Sequence, residues 1–180
     1  MSAAGTVSAD AVPAGAVDAV FGDAATPLFD ALVAFLRDDC WPVSVELQAP
    51  ELEAPRVVTR FGGTTQEWDC AGRTFERQGQ VVFDSLLPLT VAQPTRPDLA
   101  VLLVRVNWDI LTGAFALSPS TGGIRFRTSL LLPDGAPLVR AAVKGLVYAN
   151  VLTVDRCLGA IAAAAAGEIS VAEALELIDL

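Results

Sequence analysis

The first strong pattern in the chain is a set of apolar residues at the spacing of one helix face. It predicts a helix over about 27–38, with a stripe formed by Leu28, Leu32, Phe35 and Leu36. Thr26 is the expected N-cap, and Pro27 suits the first helical position. We interpret this stripe as core packing.

Segments with strand patterns follow this helix. Apolar and polar side chains alternate over residues 43–48, and turn residues such as Gly62-Gly63 and Gln78-Gly79 separate the later segments. The predicted strands after the first are 57–62, 67–76 and 80–87. The pattern predicts an antiparallel meander with one wetter face.

The segment 97–108 predicts a second helix that is apolar almost all the way round. One of its stripes consists of Leu99, Leu102, Leu103 and Val106, and the other of Val101, Val104 and Trp108. A helix on a sheet needs only one apolar stripe, so this helix requires cover on a second side. We expect the second stripe to lie against another subunit, with two-fold symmetry as the commonest closure. The alternative is that the long C-terminal helix covers it within one chain.

The rest of the chain predicts a hairpin and two helices. The hairpin joins 111–118 to 124–132, a long helix runs over about 137–166, and a last helix covers about 171–178. Ser170 and Glu173 form a capping box for the last helix. The element order is α-βββ(β)-α-ββ-α-α, which predicts an α+β fold in which helices pack on an antiparallel sheet.

The 180-residue chain is apolar and acidic. Hydrophobic residues make up 53% and charged residues 18%, which excludes a disordered chain and suggests that a partner covers some surface. The net charge of -9 provides no field that attracts phosphates, so nucleic-acid binding is disfavoured. Residues 1–55 hold nine acidic side chains and one basic, whereas residues 56–180 hold twelve acidic and eleven basic. The acidity therefore belongs mainly to the front of the chain.

The absence of histidine removes several kinds of catalytic site. Ser-His-Asp and Cys-His nucleophile pairs, His bases and His metal ligands are all excluded. Wide spacing and the lack of a CxxC motif favour reduced thiols at the three cysteines, Cys40, Cys70 and Cys157. Acid pairs such as Asp38-Asp39 match no EF-hand loop and are interpreted as solvated surface. We therefore expect no enzyme, no metal and no cofactor.

Two arginine arrangements leave alternatives open. Arg125 and Arg127 share one strand face, where they either form a positive stripe for carboxylates or pair across strands with Glu67, Asp69 or Glu76. We favour cross-strand pairing. Arg105 and Asn107 interrupt the apolar second helix, where they either satisfy backbone groups or mark a polar spot in an interface.

The N-terminal residues and the most apolar segment bear on where in the cell the protein is found. A secretory signal requires a positively charged N-terminal region, and residues 1–25 contain no Lys or Arg. We expect these residues to form a flexible tail ahead of a single domain at 26–180. The segment 145–166 carries Asp155 and Arg156 near its middle. Each of these charges would cost roughly 2.5–3.5 kcal/mol in a membrane-spanning helix, so we predict a buried helix and a cytoplasmic protein.

Five stretches resemble the YbjN family, whose members are described as bacterial sensory transduction regulators. They are FGGTTQEWDC (61–70), QVVFDSLLPLTV (80–91), RPDLAVLLVRVNWDILTGAFAL (96–117), GIRFRTSLLL (123–132) and LVYANVLTVDRCLGAI (146–161). The most specific part is the R-x-N of Arg105 and Asn107, followed by the G-x-F of Gly113 and Phe115. The resemblance covers about 27–178. It implies a fold similar to type III secretion chaperones, usually dimeric, with protein binding and neither enzyme activity nor a cofactor.

The leading hypothesis is a non-enzymatic adaptor or chaperone-like regulator that acts as a homodimer. Its expected partner is another protein, and neither nucleic acid nor a membrane. The residues predicted for the dimer or partner interface are Val101, Val104, Arg105, Trp108 and Phe115. The alternative is a small-ligand-binding sensory domain, with a ligand in the groove between sheet and helices and Arg125 or Arg127 as its polar contact. A third hypothesis is an enzyme that uses Asp and Glu alone.

Overall fold

The computed structural model describes residues 26–46 and 55–178, together with the backbone of 7–8. The strands are β1 (Val7–Ser8), β2 (Ser44–Glu46), β3 (Arg56–Gly62), β4 (Glu67–Phe75), β5 (Gln80–Thr90), β6 (Ala114–Leu117) and β7 (Gly123–Leu131). The helices are α1 (Pro27–Asp38), α2 (Arg96–Asp109), α3 (Arg140–Ala166) and α4 (Val171–Leu177), with 3-10 turns at Glu76–Gln78 and Gln93–Thr95.

The fold is α+β, with helices packed on an antiparallel sheet, and this prediction from the sequence is confirmed. The strands are hydrogen-bonded in the order β1-β2-β3-β4-β5-β7-β6. Consecutive strands therefore pair as a meander up to β5, and the hairpin of β6 and β7 joins through its second strand. The expected flexible tail, residues 1–25, lies outside the described residues apart from β1, which pairs antiparallel with β2.

The chain divides into two compact units, each built from several stretches of sequence. The first contains the described part of Met1–Arg60 together with Cys70–Phe83 and Ser129–Leu146. The second contains Phe61–Asp69, Asp84–Thr128 and the described part of Val147–Leu180.

In the first unit, α1 buries the stripe that the sequence predicted for it. Gly72 on β4 leaves room for Leu32 of this helix, because a Cβ atom at Gly72 would stand 2.7 Å from Leu32 Cδ2 and 2.8 Å from Val57 Cγ1. Arg140 at the start of α3 contacts the same helix, donating to Asp38 Oδ2 over 3.0 Å and lying 5.1 Å from the Phe35 ring centroid. The amphipathic pattern therefore placed this helix correctly.

Thr26 occupies the N-cap position of α1 and Pro27 the first helical position, as predicted. The Thr26 side chain makes no capping hydrogen bond, however, and its hydroxyl donates instead to Asp30 Oδ2 over 3.5 Å. Glu76, in the turn after β4, accepts from the backbone N–H of Leu28 and of Phe29 over 3.2 Å and 2.9 Å. A carboxylate from a distant segment therefore satisfies the free N–H groups of the first helical turn and complements its dipole.

In the second unit, a buried polar network connects strands with α3. The Trp68 indole N–H donates to Ser85 Oγ over 2.9 Å, and the Ser85 hydroxyl donates to Asn150 Oδ1 over 2.6 Å. The Asn150 amide then donates to the Phe126 carbonyl over 3.1 Å and to Thr128 Oγ1 over 3.3 Å. All of these polar groups are buried, and each one has a partner, as burial requires.

Helix α3 is long and apolar enough to cross a membrane by length and composition alone. Half (50%) of the most apolar stretch of α3 is buried inside the fold, and the core helix of a soluble protein can have the same length and composition. The side chains buried along it recur at three- and four-residue spacing, and they include Val147, Val151, Val154, Leu158 and Ile161. The structure therefore shows α3 packed as a core helix.

Candidate functional site

Helix α2 has two apolar faces, and the structure buries one of them. The buried stripe consists of the four residues that the sequence assigned to the sheet side, Leu99, Leu102, Leu103 and Val106. Each of these side chains is at most 3% exposed. This part of the prediction for the helix is confirmed.

The opposite face of α2 is open to solvent. Val101 is 54% exposed, Val104 is 70% exposed and Trp108 is 88% exposed. Arg105 lies between them in the i, i+3, i+4, i+7 pattern of one helix face and is also exposed. We refer to Val101, Val104, Arg105 and Trp108 as the α2 face. The alternative that the long C-terminal helix covers this stripe within one chain is wrong, because the three apolar side chains remain exposed.

Phe115 does not belong to the exposed face, although the sequence placed it in the interface. Its side chain is 4% exposed and packs against Phe126, with the ring centroids 4.6 Å apart. The reason is the alternation of β6, which directs Phe115 toward the core and Ala114 and Ala116 outward. Leu111, which follows α2 and is fully exposed at 101%, was not among the predicted interface residues.

Hydrogen bonds hold α2 at both ends. At the N-terminal end, the Arg96 guanidinium donates to the carbonyl oxygens of Val91 and Pro119 over 3.1 Å and 2.8 Å. Near the C-terminal end, the Asn107 amide donates to the Phe115 carbonyl over 3.0 Å and accepts from the Phe115 N–H over 2.8 Å. Asn107 therefore satisfies backbone groups, one of the two roles that the sequence left open for it. The helix presents its open face from a fixed position.

The last helix, α4, packs against α2. The predicted capping box at its start is confirmed: the Glu173 N–H donates to Ser170 Oγ over 3.2 Å, and the Ser170 N–H donates to Glu173 Oε2 over 2.8 Å. Hydrogen bonding from the Ser170 backbone and hydroxyl lowers the pKa of the Glu173 carboxyl. Because this box forms from residues three apart, it could be predicted from the sequence alone.

Arg127 is paired, but with a different residue from those predicted. Its Nε donates to Asp84 Oδ1 over 2.7 Å and its Nη2 to Asp84 Oδ2 over 2.8 Å, a two-pronged contact with a carboxylate that is 6% exposed. The hydrogen bond to Asp84 raises the pKa of Arg127, and the carboxylate's charge raises it further, against the opposing effect of burial. The sequence signal for this pair was the lone acidic residue inside the apolar strand 80–90.

Arg125 and two clefts bear on the small-ligand hypothesis. A cleft of about 610 Å³ in the second unit is lined by Arg125 together with apolar residues that include Leu86, Leu117 and Pro119. A cleft of about 550 Å³ in the first unit is lined mainly by Leu28, Ala31, Glu76 and residues 132–138. Glu76 already holds the start of α1, so Arg125 is the more available polar group.

In the glycine-rich turn at 62–65, both donors of Thr64 are occupied. Thr64 donates its backbone N–H to Asp155 Oδ1 and its hydroxyl to Asp155 Oδ2, both over 2.7 Å. Gly63 lies against the same side chain, since a Cβ there would stand 2.4 Å from Asp155 Oδ1. A carboxylate of the chain itself therefore fills the place of an anion at this turn.

The thiols and acidic groups show no reactive arrangement in the part of the chain that the structure describes. Cys70 and Cys157 are buried and Cys40 is exposed, and none of the three forms a disulfide. Burial raises the pKa of the Cys157 thiol to about 11 from an ordinary 9.0, which keeps it protonated near neutral pH. Among the described residues, no three His, Cys, Asp or Glu side chains form a group that could hold a metal ion.

Comparisons with known proteins add no relative. A scan of protein-family models and searches of curated proteins and of solved structures found no significant match to this chain. The resemblance to the YbjN family therefore stays a prediction from the sequence motifs. The α2 face is the candidate site that rests on the structure itself.

Proposed function

We propose that this protein is a non-enzymatic adaptor or chaperone-like regulator that acts as a homodimer through the α2 face and binds another protein. The observation that carries the proposal is the exposure of Trp108, 88%, beside Val104, 70%, on a helix whose other side is fully packed. Single exposed apolar residues are ordinary, but a contiguous patch on a fixed helix is typical of an interaction surface.

The chemistry of the face supports a protein as its occupant. Tryptophan and arginine are the residues most enriched at the centre of protein interfaces, and Trp108 and Arg105 stand one turn apart on the helix. Val101 and Val104 add exposed apolar surface beside these two side chains. A second copy presents the same apolar surface, and two-fold pairing would cover both copies at once.

A cytoplasmic location belongs to the same proposal. Three cysteines without a disulfide are typical of proteins from a reducing compartment. The α+β fold packs α3 into its core, with 50% of the most apolar stretch of that helix buried. Both features suit a soluble regulator.

Light scattering after size-exclusion chromatography tests the homodimer. We expect about 38 kDa at micromolar concentration, which is twice the 18.8 kDa of one chain. Val104→Asp should give the monomer with an unchanged circular dichroism spectrum, because the charge would be buried in the interface but solvated in the monomer. Leu131→Asp is the matched control, since Leu131 is also apolar and 71% exposed but lies on β7. A wild-type monomer at micromolar concentration would overturn the homodimer.

A small-ligand sensor is the second candidate function, and the position of Arg125 favours it. An exposed guanidinium at an apolar cleft of about 610 Å³ suits a small amphipathic carboxylate. Calorimetric titration with decanoate is a direct test, with Arg125→Gln as the variant that should lose binding. Equal heats for both proteins would reject the cleft as the site.

A further inference from the structure

The edge strand of the second unit has its central backbone groups occupied by a side chain. β6 is the last strand of the sheet order and pairs with β7, where Phe115 stands opposite Phe126. Successive residues of an antiparallel strand direct their backbone groups alternately to its two sides. Phe115 directs both groups away from β7, and Asn107 binds both, at 2.8 Å and 3.0 Å.

We infer that Asn107 closes the outer edge of β6 against strand addition by a second copy of this chain. A primary amide offers a donor and an acceptor side by side, so it can replace the two hydrogen bonds that a residue of a neighbouring strand would make. The Asn107 side chain thus takes the place of a strand at the middle of β6.

The sequence of β6 explains why such closure matters. Its four residues, Ala-Phe-Ala-Leu, contain no charge and no proline, which are the features that usually protect an edge strand. A two-fold axis beside β6 would bring two identical edges into antiparallel register, so the same strand of another copy is the best-matched partner. Asn107 therefore keeps β6 from pairing with another copy. Association between copies is then limited to side-chain contacts elsewhere on the surface.

This inference differs from the proposed homodimer and does not rest on it. The α2 face would associate through side chains, whereas the β6 edge would associate through backbone hydrogen bonds. The size of each variant is compared with that of the wild-type species, whether that species is a monomer or a dimer. Failure of the homodimer and failure of the edge closure are therefore separate results.

The test replaces the amide and measures size and amide exchange. Asn107→Ala should form species larger than the wild type, growing with protein concentration, and the Phe115 amide should lose its protection from hydrogen exchange. Adding Ala116→Glu should restore the wild-type size, because Ala116 is exposed on β6 and stands opposite Arg125. A charged residue there opposes edge pairing while it forms a favourable cross-strand pair within the chain.

Two results would overturn the inference. In the first, Asn107→Ala keeps the wild-type size although the Phe115 amide exchanges fast, so the open edge recruits no strand. In the second, the variant grows but Ala116→Glu fails to restore its size, so association arises elsewhere. Asn107→Ser is the second variant if Asn107→Ala does not unfold cooperatively, because a short hydroxyl can hold at most one of the two backbone groups. For Asn107→Ser, the same two results would overturn the inference.

Discussion

Ser85 on β5 donates its hydroxyl hydrogen to Asn150 Oδ1 on α3 over 2.6 Å, although 65 residues separate the two in sequence. Both side chains are fully buried, and Trp68 donates to the same hydroxyl from a third element, β4. Because every member has a partner, the network adds fixed geometry to an apolar core at little cost in desolvation. It holds β4, β5 and α3 in one arrangement within the second unit.

Replacing Ser85 should weaken the fold measurably. Ser85→Ala leaves the Trp68 indole N–H and the Asn150 carbonyl oxygen buried without this partner, at a cost of about 2 kcal/mol in the free energy of unfolding. Urea unfolding followed by fluorescence measures it. Ser129→Ala is the matched control, since Ser129 is an exposed strand serine, and it should change stability little. Equal losses for the two variants would contradict the role assigned to the network.

The distant cap on α1 gives a second prediction. Glu76→Ala removes the acceptor for the N–H groups of Leu28 and Phe29 and should lower the free energy of unfolding by about 1 kcal/mol. Glu76→Gln keeps an acceptor but loses the charge, so it should fall between the alanine variant and the wild type. Glu67→Ala, at an exposed glutamate, serves as the control in thermal unfolding. A loss at Glu67 as large as that at Glu76 would contradict the cap.

Cys40 gives a third prediction, in the stabilising direction. It follows the C-cap of α1 with a φ of 61°, its N–H donates to the Arg37 carbonyl, and the N–H of Trp41 donates to the Leu36 carbonyl. These are the hydrogen bonds of a Schellman motif, whose left-handed position normally holds glycine. Cys40→Gly should raise the free energy of unfolding by up to about 1 kcal/mol, because glycine adopts this conformation without steric cost.

The alanine variant separates this effect from loss of the thiol. Cys40→Ala retains a Cβ atom at the left-handed position, so its stability should stay near that of the wild type. Urea unfolding of the three proteins side by side measures both differences. If alanine stabilises as much as glycine, removal of the exposed thiol is responsible and the explanation from backbone conformation is wrong.

The raised pKa of Cys157 gives a prediction in pH. The thiol titrates near 9.0 in the unfolded chain and near 11 in the fold, because burial disfavours the thiolate. Between these values the unfolded chain loses the proton while the folded chain keeps it, so stability should fall as pH rises through this window. Cys157→Ala removes this contribution and should show a shallower decline in urea unfolding at the same pH values. Parallel declines would show that Cys157 does not contribute.

Local patterns determined much of the fold. The stripe of α1, the alternation of Ile124, Phe126 and Thr128 against outward-facing arginines, and the capping box of α4 all depend on residues within a few positions of one another. Side-chain direction in a helix or strand follows from backbone periodicity, so these features could be derived without knowing which segments meet.

The pairings between distant segments could not be derived in this way. Glu76 accepts from the Phe29 N–H across 47 residues, a bond that the side chain of the N-cap residue Thr26 does not make, and Asp84 binds Arg127 across 43 residues. Other carboxylates stood at equally suitable sequence positions, among them Glu67 and Asp69. Only the order and register of the strands brought one of them within hydrogen-bond distance.

The candidate site shows the same division. The sequence by itself determined that α2 carries two apolar stripes, because the residue types and their spacing are enough to show it. The predicted assignment of Leu102 and Val106 to the core is confirmed, but only the tertiary structure decided that Val104 and Trp108 stay open to solvent and are not covered by the long C-terminal helix. It also decided that Phe115 is buried, with its backbone bound by Asn107 and its ring packed against Phe126. Burial depends on which surfaces come together in space, and short-range periodicity carries no information about that.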